Sequence, residues 1–317
     1  MENFLKLCQN LRQNYNQFMA IQMTTKTTYQ WPQSKDIYPY RPGRFDAPKH
    51  WRYNLRSFLN RGSIRRFEQF INQHPFLVDI FNTHLDYSYP VACRFLDKRF
   101  NASQRFDAVC DNLLFLPKKL TALSTPLWEK PLSFSEVIPD FEMTLSMTTH
   151  QPMEGYWVLE LWHKPRNELV YLLTFAKLGD ALLIAVVQGP NFEGSKEMVK
   201  QLTKSCHGLR PAYLMVETMK SLTKILGYDK LLGIPQKYQN KSRFIQSKQY
   251  TVDYDAIFGE SGGELKDYWE LPLEMDRNLD DIPSKKRSMY RKRYAMLDEI
   301  TLTIKAVSYT HLTLPTI

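Results

Sequence analysis

The spacing of apolar residues changes about midway along this 317-residue chain. Over Trp51–Leu120, apolar side chains recur every three or four residues, which is the spacing of amphipathic helices. One such face carries Trp51, Leu55, Phe58 and Leu59. After residue 126 the apolar residues alternate with polar ones, as in β-strands. The pattern predicts a helical N-terminal portion followed by a core that contains a β-sheet.

Four consecutive segments predict the first strands of that sheet. Short turns join them, which favours antiparallel neighbours. The first segment alternates most clearly, so we expect one of its faces to contact solvent. The four segments are Phe141–Met147, Tyr156–His163, Glu168–Phe175 and Ala181–Val187.

The connection after the fourth strand is much longer. About forty residues precede the next short strand, Leu231–Ile234, and they form two helical patterns. The first is basic and ends at Cys206, while the second begins at Pro211 and stops at Gly227. A crossover of this length suits a parallel strand pair. The predicted fold class is therefore α+β, an antiparallel meander leading into a strand–helix–strand crossover.

The predicted organisation has four parts. Residues 1–50 form an N-terminal helix (Met1–Gln22) and an irregular arm, residues 51–125 a helical subdomain, and residues 126–306 the α+β core with a closing helix. Residues 307–317 form a tail. Later elements of the core are predicted as a helix at Lys237–Gln249, a turn-rich segment at Asp253–Gly263, a strand at Trp269–Leu271 and a closing helix at Ile282–Ile300.

The tail has an unusual sequence. Val307–Thr316 resembles the translated adaptor of transposon-based sequencing libraries. We interpret it as an artefact, expect the natural carboxyl end to be missing or displaced, and assign no role to His311.

Composition limits the classes of protein. The chain has 42 Lys and Arg against 33 Asp and Glu, a net charge of +9, which favours an anionic partner or simply a basic surface. Its longest apolar run, Ala181–Val187, is too short to span a membrane, and its start lacks the features of a secretion signal. Four scattered cysteines without a C-x-x-C pair indicate neither a metal site nor a disulfide framework. These features predict a cytoplasmic protein with reduced thiols.

Several ordered motifs resemble one bacterial family. Thr203–Pro211 has the sequence T-K-S-C-H-G-L-R-P, which resembles the T-K-x-x-H-G-L-R-P signature of the VirK/YbjX family. Two departures occur, because Ile257-Phe258 replaces an aromatic pair and Tyr238 stands where many members carry histidine. The other matching blocks are Glu154-Gly155, Gln188-Gly189, Tyr254-Asp255, Gly262-Gly263, Leu271-Pro272 and Lys285–Tyr294.

The resemblance implies a biological context more than a reaction. Relatives are associated with virulence in enteric bacteria, with resistance to cationic antimicrobial peptides and with display of an outer-surface protein. We therefore expect a role in envelope maintenance or virulence-factor display. The resemblance assigns no catalytic residue.

The predicted topology is also similar to that of acetyl-coenzyme A N-acetyltransferases. In those proteins the strand before the crossover splays, and the next helix N-terminus holds a pyrophosphate through its free N–H groups. Gln188 and Gly189 begin the corresponding loop here, and Lys204 and Arg210 offer positive charge to an acyl-coenzyme A or an aminoacyl donor. The usual glycine fingerprint is absent, and a solvated basic helix face explains Lys204 equally well.

Two residues are candidates for acid–base chemistry. His207 can accept a proton near neutral pH, and Glu154 can act as a general base at the start of a strand. Structural roles are the alternatives, namely a histidine bonded to backbone and an ion-paired carboxylate. The alternative for Arg210 is a structural ion pair that links the turn between the two crossover helices to Glu154 or Asp255. Tyr254 is the last candidate site residue.

The closing helix is strongly basic. Lys286, Arg287 and Arg291 suit an anionic membrane surface, which would make the protein peripheral on the inner membrane. The alternative is a solvated outer face, and nucleic acid ranks lower because no nucleic-acid-binding module is present. Two classes of function remain open: an acyltransferase-like enzyme, and a non-enzymatic partner of envelope or secreted proteins.

Overall fold

A computed structural model describes residues 27–40, 46–148, 151–190, 192–240 and 252–312. The predicted helix at Met1–Gln22, most of the one at Lys237–Gln249 and the end of the tail lie outside the described residues. The chain packs as two compact units, Met1–Ser88 and Tyr89–Ile317.

The first unit is helical, as predicted. Its helices pack around Phe67, which is fully buried and makes an edge contact with Phe81 at 5.2 Å between ring centroids. Tyr29 belongs to the same core and donates a hydrogen bond from its hydroxyl to Ser88 over 2.7 Å. The helices are α1 (Ser34–Ile37), α2 (Ala47–Leu59), α3 (Arg61–Asn72) and α4 (Pro75–Thr83).

The apolar face of α2 is exposed. Periodicity correctly indicates a helix here, yet Trp51, Leu55, Phe58 and Leu59 all lie at the surface. The inward position is held instead by Tyr53, whose hydroxyl donates to the carbonyl of Pro32 over 2.7 Å. Period alone shows which residues share a face, and it does not show whether another element covers that face.

The second unit contains an eight-stranded, mostly antiparallel sheet in the order β1-β2-β3-β4-β5-β6-β8-β7. Neighbours from β1 to β5 pair antiparallel, β5 and β6 pair parallel, and β8 pairs antiparallel with both β6 and β7. The predicted α+β class, the meander and the parallel pair are present. The strands are β1 (Leu132–Ile138), β2 (Phe141–Met147), β3 (Trp157–His163), β4 (Glu168–Leu178), β5 (Ala181–Gln188), β6 (Leu231–Gly233), β7 (Glu264–Leu265) and β8 (Trp269–Leu271).

The helices of this unit connect or cover the strands. The crossover between β5 and β6 consists of two helices, α7 and α8, as predicted. Met215, Met219 and Leu222 form a buried apolar stripe on α8, which packs on β4, β5 and the last helix. The helices are α5 (Tyr89–Ala92), α6 (Ala102–Lys119), α7 (Ser195–Ser205), α8 (Pro211–Ile225), α9 (Tyr254–Glu260) and α10 (Ser284–Tyr309).

Several local predictions were wrong. β1 was not anticipated, and β2 has no solvent face of the expected kind because its polar Thr144 and Ser146 are buried too. The segment predicted as turn-rich contains α9, which Asp253 caps by accepting a hydrogen bond from the N–H of Ala256 over 2.9 Å. α10 continues to Tyr309, nine residues beyond its predicted end.

Gly233, the last residue of β6, makes room for an aromatic ring. A Cβ built at this position would lie 2.7–2.8 Å from three ring atoms of Phe258 in α9. Phe258 is fully buried, so the ring has little freedom to move aside. The absent side chain therefore allows α9 to pack against the end of β6.

We predict that Gly233→Ala lowers the free energy of unfolding by about 1–3 kcal/mol, because it overpacks this contact. Chemical denaturation of the purified protein measures the change, and Phe258→Leu in the same chain should restore part of it. The control is Gly259→Ala in α9, where the nearest atom to the new Cβ would be at an ordinary 3.5 Å. Equal losses in the two alanine variants would contradict the packing argument.

Candidate functional site

The joint between α7 and α8 is a helix C-cap followed by a helix start. His207 adopts a left-handed backbone with φ 51°, and its N–H donates to the carbonyl of Lys204 over 3.1 Å. The N–H of Gly208 donates to the carbonyl of Thr203 over 2.8 Å, which completes a Schellman motif. His207 thus occupies a position that glycine favours, and its half-buried imidazole projects from a strained turn.

Arg293 of α10 forms hydrogen bonds with the backbone of the same joint. Its Nη2 donates to the carbonyl oxygen of His207 over 3.0 Å, and its guanidinium lies 4.1 Å from the ring centroid of Tyr290. Burial raises the pKa of the neighbouring Cys206 thiol to about 12, although Arg293 opposes the shift. This thiol is therefore protonated at neutral pH and is a poor nucleophile.

Arg210 lies exposed at the start of α8. Its guanidinium is 5.6 Å from the ring centroid of Tyr213, and the hydroxyl of Tyr213 donates to Glu260. Burial and the Glu260 carboxylate raise the pKa of Tyr213 to about 12. Within the described ranges Arg210 makes no ion pair with Glu154 or Asp255, so the tie proposed from the sequence is wrong.

The other predicted joint follows β5. Gln188 ends the strand opposite Leu172, and Gly189 lies so close to Tyr171 that an added Cβ would be 3.1 Å from its ring. α7 begins after Gly194, which has no side chain to cap the free N–H groups, and Lys204 is exposed near the helix end.

β5 extends beyond its pairing with β6. The parallel register runs only from Leu182 and Leu231 to Ile184 and Gly233, followed by a hydrogen bond from the N–H of Ile234 to the carbonyl of Ile184 over 3.1 Å. Within β5, Ala185 forms a bulge, since its neighbours pair with consecutive residues of β4. Among the described residues no strand pairs with the β6-facing edge of Ala185–Gln188, and we call this edge the β5 opening.

The chain after β6 enters this opening. The side-chain amide of Gln239 donates to the carbonyl of Ala185 over 3.2 Å. The amide of Asn240 donates to the carbonyl of Met153 over 2.7 Å, beside the buried Glu154. Residues 235–240 therefore join the β5 opening to the turn that carries one of the predicted catalytic residues.

The Tyr254-Asp255 block contacts the same segment. The N–H of Tyr254 donates to the Gln236 side chain over 3.0 Å. Asp255 accepts hydrogen bonds from the N–H of Gln236 over 3.1 Å and from the indole of Trp269 over 2.7 Å. Tyr254 is buried, so this pair is built into the fold around Gln236.

Tyr238 has an aromatic and cationic environment. The guanidinium carbon of Arg99 lies 3.8 Å from the ring centroid of Tyr238 and 5.0 Å from that of Tyr268. Arg99 is fixed by the buried Asp97, with 2.7 Å between Nη2 and Oδ2. Burial, with Asp97 nearby, raises the pKa of Tyr268. Tyr238, which stands where many family members carry histidine, thus provides a phenol ring on which Arg99 stacks.

The predicted basic residues of α10 divide into two groups. Lys286 and Arg291 are exposed. Arg287 is half-buried, and its Nε donates to the carbonyl of Ile282 over 3.0 Å, so it also closes the loop before the helix.

A cavity of about 390 Å³ was missed by the sequence reasoning. It lies between α8, the segment after β8 and α10, and it is within the size range of ligand sites. Its walls combine charged side chains with apolar ones, namely Glu217, Lys220, Lys224, Glu274, Arg277 and Asp298 with Leu273, Met275, Leu297 and Ile300.

The innermost charges are a buried pair on α8. Nζ of Lys220 lies 2.8 Å from Oε1 of Glu217 and donates to the carbonyl of Ser261 over 2.9 Å. Burial raises the pKa of Glu217, while Lys220 opposes the shift. A buried carboxyl with a raised pKa, paired with a lysine at the wall of a cavity, is an arrangement typical of binding and acid–base sites.

The structure brings only some of the predicted residues together. Segment 235–240 joins the Glu154 turn to Tyr254 and Asp255, while His207 is held by Arg293 of α10. Glu217 and Lys220 had no distinctive signal, because they lie on the helix side opposite the Met215–Met219 stripe, where charge indicates solvent. The packing of α10 against α8, together with the Ser261 carbonyl that accepts from Lys220, removes them from solvent.

Comparison with known proteins identifies relatives but no solved structure. A family model described as a protein of unknown function, DUF535, matches residues 43–306 and confirms the resemblance drawn from the motifs. No solved structure matches the chain.

Three relatives have sequences similar to this chain. An uncharacterised Haemophilus influenzae protein is 96% identical over 287 residues, covering 90% of this chain and 98% of the relative. A Mannheimia haemolytica protein named membrane protein LapB is 63% identical over 217 residues, 68% of this chain and 96% of its own. The uncharacterised protein YbjX of Escherichia coli is 28% identical over 146 residues, 43% of each chain.

We predict that Lys220→Met lowers the free energy of unfolding by about 3–5 kcal/mol, because it leaves the Glu217 carboxylate buried without its partner. Glu217→Leu combined with Lys220→Met should return to within about 1 kcal/mol of the parent, since an apolar pair avoids the desolvation cost. Denaturant titration of the two single variants and the double variant gives the complete cycle.

The control is Lys224→Met, which breaks the exposed pair with Glu274 and should cost about 0–1 kcal/mol. A double variant as unstable as the sum of the two single variants would contradict a coupled buried pair.

Proposed function

This chain belongs to the DUF535 family, which is the VirK/YbjX family, and we propose that it is an acyltransferase-like protein of envelope maintenance. Its donor is a phosphate-bearing acyl carrier such as acyl-coenzyme A, with an aminoacyl donor as the other chemistry of this class. The observation that carries the proposal is the β5 opening, where a bulged strand leaves its parallel neighbour just before the crossover helices.

The opening suits an extended ligand that contains amides. The carbonyl of Ala185 already accepts a hydrogen bond from a side-chain amide, that of Gln239. An amide-containing arm of the donor can replace that group, because an unpaired strand edge binds extended amides through its main chain. Gln188 and Gly189 lie at the end of the same edge.

The start of α7 supports a place for the phosphates. Gly194 provides no capping side chain. The N–H of Ser195 donates to the carbonyl of Phe192 over 3.2 Å, so the anion would bind the N–H groups that follow it in the first turn of the 11-residue helix. Lys196, Lys200 and Lys204 are exposed and add positive charge, partly offset by Glu197 in the first turn. Arg210 supplies a further cation beyond the joint.

In this proposal His207 is the general base, with Glu154 as the alternative. The turn that contains His207 is fixed by two backbone hydrogen bonds and by Arg293, so the imidazole of His207 projects from a rigid support. A rigid support is what positioning a proton acceptor requires.

The proposed location is the cytoplasm, peripheral on the inner membrane. No helix within the described ranges is long and apolar enough to cross a membrane. The name of the Mannheimia haemolytica relative nevertheless supports an association with the envelope. The exposed Lys286 and Arg291 of α10 suit contact with anionic lipid.

We predict that acetyl- or longer acyl-coenzyme A raises the melting temperature of the purified protein, while the free carboxylic acids do not. Lys196→Glu should weaken donor binding about tenfold, which is about 1.4 kcal/mol, by reversing a charge beside the phosphates. Isothermal titration measures the dissociation constant. Lys305→Glu, an exposed reversal on α10, is the matched control and should bind normally.

His207→Gly tests the proposed base without disturbing the turn. Glycine removes the left-handed strain, so stability should rise by about 1 kcal/mol while function is lost. Function is scored as survival of a deletion strain under a cationic antimicrobial peptide. The enzyme proposal fails if no donor stabilises the protein and His207→Gly combined with Arg210→Ala complements fully, an outcome that would favour a non-enzymatic partner of envelope proteins.

A further inference from the structure

The first unit displays an apolar surface on α2. We call it the α2 face, formed by Trp51, Leu55, Phe58 and Leu59 with exposed fractions of 65%, 40%, 63% and 69%. Four large apolar side chains on consecutive turns form a contiguous patch rather than scattered exceptions. Contiguous exposed patches mark surfaces that bind another phase or another molecule.

The charge around the α2 face is mainly positive, although Asp46 just before α2 pairs with Lys49, with 2.5 Å between Oδ1 and Nζ. Residues 47–66 contain six Lys and Arg and no Asp or Glu. Arg61 lies with its guanidinium carbon 5.1 Å from the ring centroid of Phe58, so charge and apolar surface are adjacent. The exposed arginines are Arg52, Arg61, Arg65 and Arg66.

This combination distinguishes between possible occupants. An anionic partner is favoured by the exposed Arg52, Arg61 and Arg65, which flank the α2 face. An apolar phase is required by an exposed face of Trp, Leu, Phe and Leu, which a purely electrostatic contact with nucleic acid would leave in water. An anionic lipid surface offers both, because the headgroups carry the charge and the acyl chains lie directly beneath.

We propose that α2 lies in the plane of an anionic membrane. The α2 face enters the boundary between headgroups and acyl chains, and the arginines of α2 and α3 contact lipid phosphates. This contact is separate from the β5 opening and from α10, and it does not depend on any acyl-transfer activity.

The test is vesicle co-flotation of the full chain. Vesicles of phosphatidylcholine containing about one quarter phosphatidylglycerol should bind the protein, and binding should weaken steeply with salt. Leu55→Ser combined with Phe58→Ser should reduce binding at least about tenfold. These side chains are exposed, so the melting temperature should stay unchanged and confirm an intact fold.

Matched controls assign the contact to this surface. Leu302→Ser removes an equally exposed apolar side chain, at 65%, from α10 and should bind vesicles normally. Lys286→Glu combined with Arg291→Glu reverses two exposed charges of α10 and should weaken binding less than the α2 variants do. Arg52→Glu combined with Arg65→Glu removes charge beside the α2 face and should abolish binding.

Three results would overturn the proposal. The first is equal binding to vesicles of pure phosphatidylcholine. The second is loss of binding in the α10 variants together with normal binding in the α2 variants. The third is a duplex nucleic acid that binds more tightly than the vesicles and is insensitive to Leu55→Ser combined with Phe58→Ser.

Discussion

The parallel pairing of β5 with β6 is the constraint on which the second unit depends. Two parallel neighbours cannot be joined by a tight turn, so α7 and α8 must leave one end of the sheet and return across it. The pairing is short, and it leaves the β5 opening where β5 continues beyond β6 while still paired with β4. Residues 235–240 leave β6 at that point and connect the surrounding turns through side-chain amides.

A second constraint is the way α10 covers α8. α8 is apolar on the side that faces the sheet, and α10 packs over the rest, so Glu217 and Lys220 become interior charges that satisfy each other. Such a pair is seldom retained for stability alone, because desolvation cancels most of the attraction. In this protein both charges also line the cavity between α8 and α10.

The motifs located important positions better than they assigned roles. Asp255 was a candidate site residue, and in the structure its carboxylate binds Gln236 and Trp269 within the fold. His207 remains a candidate for acid–base chemistry, and its backbone also closes the end of α7 and accepts a hydrogen bond from Arg293. Residues brought close by folding share no spacing in the chain, so the contact between Tyr254 and Gln236 and the stacking of Arg99 on Tyr238 could not be predicted.

The sequence by itself determined the class of the fold, the order of the meander and crossover, and the family, because periodicity, connection length and ordered motifs are local properties. Only the tertiary structure decided which faces are covered. The sequence correctly predicted α2 as a helix, but the apolar face of that helix is exposed. It also correctly predicted α8 as a helix, but the polar side of that helix is buried. Burial depends on what packs against a face, and no pattern within one helix contains that information. For the crossover stretch, Ala181–Pro235, the sequence predicted two joints, and the structure added the opening between its strands.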